Sequence, residues 1–266
     1  QTTDGQFCVT GGGVTCHTAI DGIYSMAVYN NSLYIGTEES SDAEVYRYDG
    51  GVSWTKISDI ANPGTIVTSG TANIDGVYAM TTYNGALYIG TKEGSQAEIY
   101  RYDNGVSTGW QKVSFSDIDC GSDRTDNVCI EEGDQVDAML VYNGRLYASL
   151  TDSGNAETYR YDGLNQTWTQ VSIGGGQYIP GGNASINTAG TMALLGGALY
   201  QATGDIGTAT NVGIEIFRYK DSEGQSHALS FRAASDNTSG VTDSDEFPNL
   251  GSIRFVAEQS AVANAN

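Results

Sequence analysis

The chain is poor in the residues that helices, nucleic-acid surfaces and most cofactor sites are made from. It has 3 Pro, 2 His and 12 basic residues in 266, and no long stretch rich in Ala, Leu, Glu and Lys. With 32 acidic residues the formal charge is −20, which repels nucleic acid and anionic lipid and attracts cations. There is no run of about 18 apolar residues to span a bilayer as a helix. The start QTTDGQ lacks a charged region followed by an apolar one, so the chain reads as a mature form without its leader. HExxH, P-loop and dinucleotide fingerprints are missing, because the glycines sit in turns between strands. Nucleic acid, membrane insertion and nucleotide cofactors are thereby set aside.

What is present is Gly (35), Tyr (17) and many Thr, Ser, Val and Ile, a composition for an all-β fold. Only four methionines occur, Met26, Met80, Met139 and Met192, spaced 54, 59 and 53 residues apart. Each stands in the same succession of features, so one unit of roughly 55 residues is repeated four times. The unit opens with an apolar run (IYSMAVY, VYAMTTY, VDAMLVY, GTMALL), then an Asn-Asn, Asn-Gly or Gly-Gly turn, the strongest short-range hairpin signal. A second strand follows (SLYIGT, ALYIGT, RLYASL, ALYQAT), then a third (AEVYRYD, AEIYRYD, AETYRYD, IEIFRYK) and a short fourth (SWTKIS, GWQKVS, TWTQVS, HALSFRA).

Four short antiparallel strands with two apolar faces describe a propeller blade better than a sandwich, whose strands would show one polar face. The expected architecture is a four-bladed β-propeller with extensions at both ends. The blades run over about 20–58, 74–114, 133–172 and 186–233, after an N-terminal extension (1–19) and before an acidic C-terminal segment (234–266). The pattern YNGxLYIGT, AEIYRYD and Trp resembles the blades of secreted microbial β-propellers, loosely kelch-like in having one Tyr and one Trp per blade. The second strand lacks the kelch Gly-Gly doublet, having Ile35-Gly36, Ile89-Gly90 and Ala148-Ser149, so the resemblance implies the fold only. DGGVSW at 49–54 also resembles the Asp-box turn of sialidases, with Arg47 where that motif has Ser. In sialidases the box is a structural turn remote from the chemistry, and the three Trp read as blade core.

Four Cys form two close pairs, Cys8 with Cys16 and Cys120 with Cys129, each closing a short polar loop. That spacing suits local disulfides and an oxidising, extracellular compartment, and four sequons at Asn30, Asn165, Asn183 and Asn237 fit the same setting. No catalytic constellation emerges: His17 and His227 lack sequence partners, and the acids are too numerous to single out a pair. The strongest polar repetition is Glu44/Arg47, Glu98/Arg101, Glu157/Arg160 and Glu215/Arg218. Residues i and i+3 of a strand face opposite sides, so these pairs point to a structural strand-to-strand or blade-to-blade role. Calcium is the one cofactor the composition allows, with Asp243, Asp245 and Glu246 as candidate ligands.

A surplus β-prone run, SIRFVAE, follows the last blade; through Ile253, Phe255 and Val256 it could pair with a neighbouring subunit. The expected function is therefore a secreted, non-enzymatic structural protein, self-associating into an extracellular filament or tube by terminal strand exchange. The alternatives are a carbohydrate-binding propeller using rim aromatics such as Tyr178, and a glycan hydrolase or lyase.

Overall fold

The computed structural model describes residues 7–10, 14–17, 20–59, 62, 64–67, 72–94, 96–103, 109–114, 133–152, 155–163, 167–173, 176–178, 186–204, 215–219 and 226–229. These all lie within one compact unit, residues 1–231. Cys120, Cys129, the proposed calcium ligands Asp243, Asp245 and Glu246, and the assembly residues Ile253, Phe255 and Val256 all lie outside the described residues.

Eighteen strands and no helix make up the described chain. A short hairpin of β1 (Phe7–Thr10) and β2 (Val14–His17) comes first and sets Cys8 directly opposite Cys16 in its register. Four meanders follow: β3 (Gly22–Tyr29), β4 (Ser32–Glu38), β5 (Val45–Gly50) and β6 (Ser53–Lys56); then β7 (Gly76–Tyr83), β8 (Ala86–Lys92), β9 (Ile99–Tyr102) and β10 (Trp110–Lys112). The third is β11 (Gln135–Tyr142), β12 (Arg145–Thr151), β13 (Glu157–Asp162) and β14 (Thr167–Gln170), and the fourth β15 (Met192–Leu195), β16 (Ala198–Thr203), β17 (Glu215–Tyr219) and β18 (Ser226–Leu229). Within each meander every strand pairs antiparallel with the next, as in a propeller blade.

The first turn of each blade explains why the hairpins form. Asn30-Asn31, Asn84-Gly85, Asn143-Gly144 and Gly196-Gly197 all have positive φ at both positions, between 45° and 74°. That is the two-residue turn whose twist matches the strands it joins, and Asn and Gly are the residues that tolerate it. One residue before Ser25, Ala79 and Ala138 the pairing slips by a bulge, which sets Tyr24, Tyr78 and Asp137 apart from the ladder.

Three devices hold blade to blade. A β-branched side chain on the inner strand enters a notch left by a glycine of the preceding blade: a Cβ on Gly36 would lie 2.6 Å from Val77 Cβ, and one on Gly90 2.5 Å from Val136 Cβ. The outer-strand tryptophan reaches back, Trp110 Nε1 donating to Ile57 O (2.6 Å) and Trp168 Nε1 to Val113 O (2.8 Å). The last tyrosine of the inner strand reaches forward, Tyr83 donating to Gly144 O and Tyr142 to Gly197 O, both at 3.1 Å. Apolar clusters fill the seams, the largest two joining blades 1 and 2 around Tyr34, Val77 and Tyr100 and blades 2 and 3 around Tyr88, Val136 and Tyr159.

A closed four-bladed ring is not what these strands form. Blades 1 to 3 join into one 12-stranded sheet through the bridges Glu38↔Gly76 and Lys92↔Gln135, while blade 4 is a separate four-stranded sheet. The inner strands pack in the order β3, β7, β11, β15. On β3, where a closed ring would place another blade, Met26 and Val28 are 64% and 66% exposed, whereas Met139 and Met192 in later blades are 9% and 7%.

Candidate active site at the rim of the inner strands

The repeated Glu and Arg residues do not bond to one another. The glutamates of the first three blades are buried or half-buried and tie the third strand to the fourth: Glu44 accepts from Tyr46 and Lys56, and Glu98 from Tyr100 and, at 3.1 Å, from Lys112. Glu157 accepts from Tyr159 and from Gln170 Nε2 at 2.9 Å. The arginines turn the other way, Arg47 to Asp49 (2.8 Å) and Arg101 to Asp103 (2.7 Å), two residues on. Arg160 is half-buried and Arg218 exposed, and Glu215 lends its carbonyl to Thr203 Oγ1 at 3.2 Å. Lys112 keeps about a third of its side chain in water, so its ion pair is well screened. Glu98→Gln, which keeps one acceptor oxygen and turns an amide NH2 toward the other donor, is expected to cost about 1 to 3 kcal/mol by urea unfolding.

Tyr178 is not a rim aromatic. It is fully buried and stacked on Phe217 with centroids 4.8 Å apart, its hydroxyl 3.1 Å from Thr158 Oγ1. Trp110 and Trp168 are buried and Trp54 is half-buried, its ring 4.9 Å from that of Tyr48.

Chemistry gathers instead where the inner strands begin. Across this end Gly22, Glu38, Gly76, Lys92, Gln135 and Thr151 stand in lateral order, each the register partner of the next. The bulged residues Tyr24, Tyr78 and Asp137 project from the same end. Counted from the methionines, two positions change in kind along the blades: Tyr24, Tyr78, Asp137, Gly190 and Glu38, Lys92, Thr151, Gly204. Nearly everything around them repeats.

The side-chain contacts there form two groups, adjoining at the backbone bridge of Lys92 and Gln135. Tyr24 and Tyr78 stack with centroids 4.5 Å apart and planes at 26°, and Tyr24 is 53% exposed. Tyr78 donates to Glu38; Lys92 Nζ lies 3.1 Å from Glu38 Oε1, 3.2 Å from the Tyr78 hydroxyl and 5.0 Å from the Tyr78 ring centre. Beyond Lys92, Gln135 Nε2 donates to Asp137 Oδ1 (2.7 Å), and Thr151 Oγ1 to Asp137 Oδ2 (2.6 Å).

The two carboxyls, one in each group, are pushed in opposite directions. Hydrogen bonds from Tyr78, and then from Tyr24 and Lys92, hold the Glu38 carboxyl below its usual range against the opposing effect of burial. Burial pushes Asp137 up to about 6, against the hydrogen bonds from Thr151 and Gln135. Burial and the bond to Glu38 push the Tyr78 phenol up to about 12, so it stays a donor. One carboxylic acid and one carboxylate on the same rim, with Gly76 and Lys92 between Glu38 and the strand of Asp137, is a pairing acid–base chemistry uses. Among the described residues no group of three or more His, Cys, Asp or Glu stands where it could hold a metal ion, and no helix is long and apolar enough to cross a membrane. A groove of about 300 Å³ at the opposite ends of the inner strands, lined by Val28, Tyr29, Asn30, Thr82, Tyr83, Asn84 and Gly85, carries no charged side chain.

The strand order defines a chain of propeller-type blades. No family model matches the sequence, and no curated protein matches it. Among solved structures it is similar to the Bacteroides ovatus protein GH43B of a xyloglucan PUL, at 17% identity over 79% of this chain and 41% of that one, with a TM-score of 0.41. It is similar to Zg3597, a family 117 glycoside hydrolase of Zobellia galactanivorans (11% identity, 80% and 69% covered, TM-score 0.44), and to the GH43_1 enzyme of Xanthomonas citri complexed with xylose (12%, 80% and 73%, 0.42). The chain thus spans less than half the length of the Bacteroides protein. The expectation of a non-enzymatic structural protein assembled into filaments is not upheld: the neighbours are described as a family 117 glycoside hydrolase and a GH43_1 enzyme, not as filament subunits. At such identities and TM-scores they lend no residue roles, and the chemistry rests on the rim itself.

Proposed function

We propose that the chain is a glycan hydrolase acting outside the cell, with its chemistry at the rim formed by Tyr24, Glu38, Tyr78, Lys92, Gln135, Asp137 and Thr151. The observation that carries this is the pair of carboxyls whose surroundings drive them apart, Asp137 up to about 6 and Glu38 below its usual range. Glycoside hydrolysis needs both forms at once: an acid to protonate the leaving oxygen and a carboxylate for the water or the sugar. Asp137 gives its proton to the glycosidic oxygen as the bond to the anomeric carbon breaks. Water supplies the new hydroxyl at that carbon, and its proton passes to Glu38. Lys92 and the two tyrosines keep Glu38 ionised, and the exposed face of Tyr24 offers a surface on which a pyranose can stack.

The test is release of reducing ends from a panel of polysaccharides by the full chain, alongside Asp137→Asn and Glu38→Gln. Turnover lost in both variants supports the proposal. Glycan binding without turnover by the parent shifts the assignment to a binding module, and the absence of both overturns it.

A further inference from the structure

Blade 3 departs from the two before it at three rim positions at once. Blades 1 and 2 place a glycine at the start of the inner strand, a tyrosine at the bulge and a charged residue across the register: Gly22, Tyr24 and Glu38, then Gly76, Tyr78 and Lys92. Blade 3 has Gln135, Asp137 and Thr151 instead. The first two changes belong together. A side chain at Gly22 or Gly76 would run into the ring of the tyrosine two residues on, whereas beside the shorter Asp137 a glutamine stands and donates to its Oδ1 at 2.7 Å. The third change completes the set: Thr151, the register partner of Gln135, donates from Oγ1 to Asp137 Oδ2 at 2.6 Å. Each carboxyl oxygen thus has a donor of its own, and the two donors differ in kind. An amide nitrogen only donates, whereas a hydroxyl donates or accepts by turning its hydrogen.

We infer that Gln135 and Thr151 are positioning residues that hold the acid proton of Asp137 on Oδ2. Oδ1, facing the amide, stays the carbonyl oxygen. When the proton arrives, Thr151 Oγ1 turns from donor to acceptor and the bond survives; when it leaves, the electron pair of the O–H bond stays on Oδ2 and Thr151 donates again. Gln135 would have to turn its amide end for end to do the same. The placement stands on these two bonds. Its use, delivery of that proton to a glycosidic oxygen, rests on the hydrolase reading and deepens it. At the rim end of the elements packed against β11 the ionisable groups are Tyr78 on β7, Lys92 and Glu93 at the end of β8 and Asp152 just past β12; Asp134 precedes β11 itself, and β15 carries none. Tyr178 also senses the acid, whose charge helps to raise its phenol. Both bonds favour the ionised carboxyl, against burial, so loss of either raises the pH at which Asp137 gives up its proton.

The test is the carbonyl stretch of the protonated Asp137 carboxyl, read by infrared difference spectroscopy on the full chain through a pH titration and identified by its loss in Asp137→Asn. Gln135→Met, which frees Oδ1, is expected to move that band to higher frequency. Thr151→Val is expected to move it less, and Thr151→Ser, which restores the hydroxyl, not at all. Gln135→Met and Thr151→Val are both expected to raise the titration midpoint by about half a pH unit or more, since a hydrogen bond to a charged group is roughly twice as strong as one to its neutral form. Should Gln135→Met fail to fold, Gln135→Asn, whose amide falls short of Oδ1, takes its place. A larger band shift in Thr151→Val than in the Gln135 variant puts the proton on Oδ1 and overturns the placement. So does a midpoint that neither variant moves, or the lack of any band lost in Asp137→Asn. The expected shifts in a chain that cleaves no glycan uphold the placement and remove the hydrolase reading; turnover whose alkaline limb follows the two midpoints upward supports both.

Discussion

Replacing Asp137 with asparagine is expected to lower turnover on a susceptible polysaccharide by 10²- to 10⁴-fold, the range a positioned proton donor contributes, while leaving the fold intact. The parent should show a bell-shaped pH profile. Activity falls as pH rises through about 6, where Asp137 loses its proton, and falls again at low pH as Glu38 gains one. In Asp137→Asn the limb near 6 disappears along with most of the rate. Stability supplies an independent readout. Because the folded-state value of Asp137 is raised above its ordinary 3.8, its contribution is fully present below that value and is lost as pH rises through about 6. The ionised side chain then costs at most about 3 kcal/mol. Asp137→Asn should therefore melt no lower than the parent at pH 7 and flatten the decline between pH 4 and 6. A variant equally active at pH 7, or one whose loss of activity tracks a loss of fold, removes Asp137 from the chemistry.

The blade seam gives the second large effect. Gly90→Ala places a methyl group 2.5 Å from Val136 Cβ, inside the 12-stranded sheet where neither strand can withdraw. Overpacking of this kind costs about 1 to 3 kcal/mol. Val136→Ala alone opens a void in the same seam and is also destabilising, by about 2 kcal/mol. Together they should cost clearly less than their sum, with a coupling of about 1 kcal/mol or more. The third seam already has that form, with Ser149 where the others have glycine and Ala189 where they have valine. Strict additivity in urea unfolding contradicts the notch.

How much of this the sequence disclosed follows from what repeats. The hairpins were legible because Asn-Gly and its relatives name a turn type outright, and the repeating Met spacing located every inner strand. The glycine notch was not, because Gly36 and Gly90 look like ordinary strand glycines until the facing valine is known. The glutamate and arginine of each blade drew attention through their regularity, yet they bond to Lys56, Tyr46 and Asp49 rather than to each other. Tyr178 looked like a loop aromatic free to meet a ligand, and Phe217, distant in sequence, covers it. Attention to repetition also passed over the rim. The signal there is disagreement among copies: where four aligned positions hold Tyr, Tyr, Asp and Gly, a shared structural task cannot be the reason for all four.

The unequal joining of the blades sets the order in which the molecule opens. Blades 1, 2 and 3 share backbone hydrogen-bonded bridges, so separating them breaks ladder bonds as well as side-chain packing. Blade 4 adjoins blade 3 through a small cluster around Tyr142, Tyr147, Met192 and Leu199 and through single bonds such as Tyr142 to Gly197. It forms its own sheet and so behaves as a separate cooperative unit, reached by a smaller free-energy step than the others. Amide exchange in β16 should then run ahead of exchange in β8 and β12 under native conditions, through subglobal openings that part blade 4 from blade 3 while the stacked tyrosines stay closed.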